Sequence, residues 1–385
     1  MNVVYISPNF PPNNAQFCMA LHSQGVHVLG LGDEAYDSLR ADLKASLTEY
    51  YRVESLLDDD QVLRALGYFT HRHGRLDRVE SHNEYWMRTE ASLREDFNLF
   101  GPRPKDLDAI LRRSRMKALF RQAGVPTCRG ELATDLGQAL TLARRWGYPL
   151  IAKPDVGMGA SAVLTLEDEA DLDRFFREKA PGAYLLEEFV DGDLWSFDGL
   201  ADQDGQPVFT AALCFGSGIL EVARGDRDLF YHTCRKIPAD LDRLGRQALA
   251  ALDIRECFFH LEFFRVRSGG GLLALDANPR PPIGLATDMF NYANDIDMYQ
   301  EWASVVTRNR FEAEPAWPYY CGYVGRRFSR EYASSHETIL GRHHGLVVHH
   351  ERMFSVFSRV LGDYGYILRS PDLEEVREAA RDILA

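Results

Sequence analysis

The chain has 385 residues, room for two to four domains or lobes at about 100–200 residues each. Hydrophobic residues make up 45% and charged residues 26%, an ordinary globular balance. With 44 Lys plus Arg against 57 Asp plus Glu, the net charge is −13. That repels nucleic-acid backbones overall and predicts no nucleic-acid partner, though a local basic pocket is still allowed.

Val3–Ile6 reads as a first strand, not a secretory leader, because no basic segment precedes it and Ser7-Pro8 ends it. Asn14–Gln24 reads as a helix closed by Gly25, and Val26–Leu31 as a second strand, so a parallel sheet is expected. Gly30-Leu31-Gly32-Asp33-Glu34-Ala35 mimics a dinucleotide fingerprint but follows the wrong strand, which argues against NAD. Gly101-Pro102-Arg103-Pro104 marks a boundary. A helix is expected over about 106–123, stopped by Gly124 with Pro126 just beyond. Tyr148–Pro154 reads as a strand entering a glycine-rich loop. Leu166–Lys179 reads as an amphipathic helix with Thr165 as its cap, and Tyr184–Val190 as a strand. Two strands are expected within 257–280, around Ser268-Gly269-Gly270-Gly271, and a final helix near Pro371–Leu384. No apolar run reaches the roughly 18 residues of a membrane span, so no membrane partner is expected. The six scattered cysteines predict reduced structural thiols in a cytoplasmic protein.

Three segments carry chemistry. In Phe259-His260-Leu261-Glu262 and Leu275-Asp276-Ala277-Asn278, strand alternation puts Asp276 and Asn278 on one face. In a hairpin with an odd-numbered loop, Glu262 faces Asp276 or Asn278. Opposed carboxylates repel unless a cation lies between them, and three oxygen donors suit Mg²⁺. A solvated hairpin face is the alternative. Lys153 ends an apolar strand, where a cation wants an anionic partner, and the small-residue loop 157–162 lets backbone N–H groups approach phosphate. Without any Gly-Lys dipeptide this is not a Walker loop. Leu186-Glu187-Glu188-Phe189-Val190 ends a strand in a hinge that can meet a planar base, or is simply a solvated turn.

In this order and spacing, these residues resemble the ATP-grasp superfamily over about residues 105–305. Arg113–Lys117 leading to Gly124-Val125-Pro126 is similar to its leading helix and turn, and Leu150–Pro154 to its phosphate-lysine strand. The resemblance implies an α/β (α+β grasp) protein: an N-terminal Rossmann-like domain (1–104), a two-lobed ATP-grasp fold (105–186 and 187–308) and a C-terminal α/β extension (309–385). It implies ATP with two Mg²⁺ ions, Mn²⁺ being an alternative. Lys153 and Arg113 would contact phosphates, with Gly157, Gly159 and Ser161 in the loop above them. Glu187 would accept the adenine amino group, and Glu188, Phe189 and Val190 would complete the hinge. The usual ribose-binding glutamate falls on Leu194, with Asp193 beside it as a substitute. Glu262, Asp276 and Asn278 would hold metal.

The implied activity is an ADP-forming ligase. It activates a small-molecule carboxylate as an acyl phosphate and joins it to an amine. Arg280, Lys236 and Arg235, with Arg224, are candidates to clamp the carboxylate, and His232 and His260 to act as base for the amine. Carboxylase or carbamoyl-type chemistry on bicarbonate, phosphate transfer to an alcohol and a non-catalytic nucleotide-binding regulator are the alternatives. A homodimer is left open.

Overall fold

A computed structural model describes residues 1–157, 163–215 and 228–385. Among these residues three sheets organise the chain. The first is parallel, in the order β3-β2-β1-β4, from β1 (Asn2–Ile6), β2 (His27–Gly32), β3 (Glu49–Arg52) and β4 (Arg78–Glu80). β1 is apolar on both faces because both are covered. Val3 and Tyr5 share a core with Phe17 and Leu21 of the helix Asn14–Ser23, while Val4 and Ile6 share one with Leu66 and Phe69 of the helix Asp59–His73.

The second sheet runs β5-β8-β6-β7, from β5 (Gly130–Ala133), β6 (Leu150–Pro154), β7 (Leu164–Leu166) and β8 (Tyr184–Glu188). Helices Leu136–Trp146 and Glu169–Glu178 back it. The second of these helices begins later than the sequence predicts. Residues 164–166 pair with β6, so Thr165 lies in a strand, and Asp168 caps the helix by accepting from the Asp171 N–H at 2.9 Å. The helix expected over 106–123 is also interrupted. Arg112 adopts φ −98°, ψ 109° and bridges to Val156, so the helical pieces are Asp108–Leu111 and Arg113–Gln122. The Asp155 carboxylate accepts from the Ser114 N–H at 2.9 Å and restarts the second piece.

The third sheet is antiparallel and eight-stranded: β9 (Gly192–Ala201), β10 (Pro207–Phe215), β11 (Leu229–Thr233), β12 (Phe258–Val266), β13 (Leu272–Asn278), β14 (Tyr320–Arg326), β15 (Val347–Arg352) and β16 (Tyr364–Ser370). Their order is β13-β12-β9-β10-β11-β14-β16-β15. The segment beyond residue 309 is therefore continuous with the sheet that carries the β12–β13 hairpin. Helix Ala239–Ala251 packs on one face with Phe197, Leu261 and Phe263. Helices Ala286–Asn294 and Met298–Arg308 join the other face to the N-terminal domain, where Phe17 meets Trp302 edge-on at 5.2 Å. All six cysteines are free thiols. No helix among the described residues is long and apolar enough to cross a membrane.

Candidate active site

The third sheet places the hairpin donors. Glu262 on β12 lies opposite Asp276 on β13, and His260 lies opposite Asn278. On the other flank of β12, β9 sets Ser196 against Glu262 and Asp198 against His260. Strand alternation turns all six toward one face. His260 Nδ1 is 2.6 Å from Asp198 Oδ1, and its Nε2 is 3.4 Å from Glu262 Oε1. Ser196 Oγ donates to the other Asp198 oxygen at 2.5 Å. Burial alone would lower the His260 pKa, but the Asp198 carboxylate, aided by Glu262, holds it up at about 9. Burial would raise the Glu262 carboxyl, yet its bond to His260 keeps it below the usual range. A fully buried Asp–His pair thus orients Glu262 from behind, as outer partners orient metal ligands. Ser196 and Asp198 escape the sequence reading; two polar residues two apart within the apolar stretch Leu194–Ala201 are the signal that could have found them.

The lysine of β6 is not alone. Lys153 Nζ lies 2.7 Å from Glu187 Oε2 on β8, and Lys117 Nζ lies 2.5 Å from Glu187 Oε1. Lys117 also donates to Cys128 Sγ at 3.0 Å. Glu187 and Lys117 are each 1% exposed and Lys153 8%. Burial would raise the Glu187 pKa, but the two ammonium groups pull it down to about 2. Lys117 was not singled out in the sequence, although it stands one helical turn after Arg113 and so on the same face. Arg113 is buried, donates to the Pro154 carbonyl at 2.8 Å and lies 3.5 Å from Asp276 Oδ2. The Glu188 side chain is taken by Arg129, and its backbone N–H donates to the Arg129 carbonyl at 3.1 Å.

Arg280 follows β13 and meets a residue of the N-terminal domain, Glu84, whose Oε2 is 3.1 Å from Nη2. Burial raises the Glu84 carboxyl more than Arg280 lowers it. Nothing local in the sequence marks Glu84, since its partner lies far along the chain.

One cavity of about 230 Å³ gathers these groups. Arg113, Lys153, Glu187, Glu188, Phe189, Val190, Glu262, Asp276, Asn278 and Arg280 all line it, with Glu84 and His260. Other expected residues are not brought there. Beyond β11 the chain turns outward. Arg235 is exposed, donates to the Trp317 carbonyl at 2.7 Å and sits over the Tyr320 ring, and Lys236 is exposed beside it. Neither lines the cavity; Arg224, Gly159 and Ser161 lie outside the described residues. Asp193 is paired with Arg267 at 2.7 Å and is exposed, away from the cavity. His232 is buried against the Thr233 carbonyl. Gly157 lies beside Arg113 without lining the cavity.

The residues present fit magnesium and ATP. Two carboxylates and an amide on adjacent strands leave coordination places for phosphate oxygens and water, as Mg²⁺ requires and Mn²⁺ accepts. Lys153, Lys117 and Glu187 carry a net charge of +1 (two cations, one anion), which favours a polyphosphate. The hinge at 187–190 and the apolar side chains of Ile151, Phe264 and Leu275 are suited to a base.

No family model matches the chain. Over 111 residues it is 29% identical to the carbamoyl phosphate synthase large chain of Methanosarcina barkeri, covering 27% of this chain and 10% of that protein. Over 116 residues it is 33% identical to that of Xylella fastidiosa, covering 28% and 10%. The matched stretch thus spans about a tenth of these curated relatives. Solved structures match nearly the whole chain. An L-amino acid ligase from Bacillus licheniformis is 15% identical, with 99% of this chain and 96% of that one covered and a TM-score of 0.76. The biotin carboxylase domain of the Hydrogenobacter thermophilus 2-oxoglutarate carboxylase is 15% identical, with 98% and 89% covered and a TM-score of 0.72. N5-carboxyaminoimidazole synthetase from Staphylococcus aureus is 15% identical, with 100% and 97% covered and a TM-score of 0.73. The likeness over nearly the whole chain is one of fold, and the chain has the ATP-grasp fold.

Proposed function

We propose that this protein is an ADP-forming ligase that activates a small-molecule carboxylate as an acyl phosphate and joins it to an amine. The observation that carries this reading is the single cavity in which Lys153, Arg113 and Arg280 face Glu262, Asp276 and Asn278, with a hinge strand at one end. Glu262, Asp276 and Asn278 would hold magnesium, and Lys153 and Arg113 the phosphates. Bound Mg-ATP supplies the phosphoryl group. Phosphoryl transfer demands in-line positioning and neutralised charge more than covalent help, and the chain's cations offer both. Glu84 holds the Arg280 guanidinium at the cavity wall, where it can meet the acid's carboxylate. Lys117 keeps Glu187 paired when Lys153 turns to phosphate. The buried walls keep water from the activated acid.

The likeness to an L-amino acid ligase over both chains supports amide formation. A second reading, with bicarbonate as the acid, draws support from the carbamoyl phosphate synthase relatives and from the biotin carboxylase domain, which was crystallised with bicarbonate. The test is ADP release with hydroxylamine present, across a panel of acids that includes bicarbonate. Hydroxamate and ADP formed together on an organic acid are the expected result. ADP formed with bicarbonate alone would favour the second reading, and ATP bound without any ADP would make the protein a nucleotide-binding regulator.

A further inference from the structure

We propose that the carboxylate substrate carries an apolar side chain, branched aliphatic or aromatic, seated at the end of the cavity closed by Leu361. This deepens the ligase reading and rests on it.

The concave face of the large sheet changes character from strand to strand. On β12 and β13 it presents His260, Glu262, Asp276 and Asn278. On β10 and β11 it presents Phe215, Leu229 and Tyr231, which line the same cavity. β11 is three strands from β12 in the sheet order, about 14 Å at about 4.8 Å per strand. The hinge and the apolar pair Phe264 and Leu275 stand at the β12–β13 end, so the base belongs there and the β10–β11 end remains for a second ligand. Over that end lie Ala286, Val360 and Leu361. Among the described residues none of these six carries a formal charge and the Tyr231 hydroxyl is their one polar side-chain group, so a charged substituent placed among them would lose its water without gaining a counter-ion.

The route from charge to apolar wall is short. Arg280 leads through Pro282 and Ile283, both in the lining, into the helix that begins at Ala286. A carboxylate held at Arg280 and the metal ligands therefore directs its substituent beneath this roof.

The roof is built rather than incidental. Tyr323 donates its hydroxyl to the Leu361 carbonyl at 2.9 Å. Arg327 donates to the Arg359 carbonyl at 2.9 Å and secures the end of the helix Ser355–Leu361. At Gly325 a Cβ would come within 2.0 Å of the Leu361 carbonyl oxygen. At Gly284, where φ is +70°, a Cβ would lie 2.5 Å from Leu361 Cδ1. Tyr231 stacks between Phe215 at 5.0 Å and Tyr323 at 5.1 Å, so the floor is fixed too. A preorganised apolar wall rewards a matching side chain because little ordering cost remains at binding. The segment after residue 309, through Val360 and Leu361, then sets specificity.

The test uses the full chain and two readouts. The first is ADP release with Mg-ATP and hydroxylamine on L-leucine, L-phenylalanine, L-aspartate, L-lysine and bicarbonate. The second is calorimetric binding of the same acids with magnesium and the β,γ-imido analogue of ATP. Leucine or phenylalanine should exceed aspartate and lysine by about tenfold or more in kcat/KM and in affinity. Leu361→Ala should shift the phenylalanine-to-leucine ratio upward by about tenfold, since a few methylene groups of pocket decide discrimination of that size. Val360→Ala, at a half-buried site, gives a smaller shift of the same sign and serves if Leu361→Ala does not fold. Preference for aspartate, lysine or bicarbonate, no binding of either apolar acid, or an unchanged ratio in both variants overturns the inference. Binding of an apolar acid without ADP release leaves the inference standing and overturns the ligase reading instead.

Discussion

Glu187 is the sharpest place to perturb this site. Glu187→Gln keeps the shape and removes the one negative charge between Lys117 and Lys153. Lys117, 1% exposed, is left with neutral partners alone, the Gln carboxamide oxygen and Cys128 Sγ at 3.0 Å. Breaking a buried pair by neutralising one member costs about 3–5 kcal/mol. The titration leads to a similar figure. The Glu187 carboxyl falls from its ordinary 4.5 to about 2, worth about 3 kcal/mol at roughly 1.4 kcal/mol per pH unit. Because the folded value is the lower one, this stabilisation is complete above pH 4.5 and is lost as pH falls toward 2. Urea unfolding followed by tryptophan fluorescence should thus show a penalty of about 3 kcal/mol at pH 7, shrinking to about 1 kcal/mol at pH 3. Lys117→Met combined with Glu187→Gln removes the stranded cation and should recover about half the loss. A Glu187→Gln variant within about 0.5 kcal/mol of the parent, or a penalty that persists undiminished at pH 3, would refute the reasoning.

Other expectations follow from the same geometry. Asp276→Ala should abolish ADP release and Mn²⁺ binding, read by electron paramagnetic resonance, while circular dichroism stays unchanged; retained activity would remove Asp276 from the metal site. Arg78 lies 2.6 Å from Glu256 and 2.8 Å from Glu80, joining the first sheet to the large lobe. Arg78→Met should cost about 3–5 kcal/mol in urea unfolding, because Glu256 is left buried. Gly325→Ala forces the Leu361 carbonyl aside and should cost about 1–3 kcal/mol. It should also raise KM for the acid more than KM for ATP; an equal rise in both would place the disturbance elsewhere.

The parts of this site that the sequence exposes are those built by neighbours along the chain. Alternation in two short strands puts Asp276 and Asn278 on one face and leaves Glu262 opposite one or the other; the structure pairs it with Asp276 through a register shift between Glu262 and Phe263 that no local pattern marks. Lys153 and the 187–190 hinge stand out because each ends an apolar strand. What stays hidden is whatever comes from a distance. Glu84 reaches Arg280 from the first domain and Leu361 closes the cavity from the last eighty residues, each without a local pattern, while Asp198 supports His260 from β9 with only its alternation with Ser196 to mark it. Lys117 is hidden for another reason. A charged residue in a helix is ordinarily read as solvated, and only tertiary packing reveals it fully buried against a carboxylate. Arg235 and Lys236 illustrate the converse: a basic pair in plausible sequence order is carried outward by the turn after β11.

The neighbourhood of β11 and β14 also governs when the site can exist during synthesis. The first sheet closes with β4, so the N-terminal domain has its pairings as soon as about 80 residues have emerged. The 187–190 hinge, Lys117, Lys153 and the carboxylates of Glu262 and Asp276 are all made by residue 280. β11, however, finds its outer partner only in β14, which in turn needs β16, and the compartment lacks its roof until Leu361 arrives. A nascent chain arrested between these points would carry Lys153, Glu262, Asp276 and Asn278 beside an open apolar floor. Chains that emerge N-terminus first fold in that order, so this protein acquires the groups proposed to bind nucleotide well before the wall proposed to select the acid.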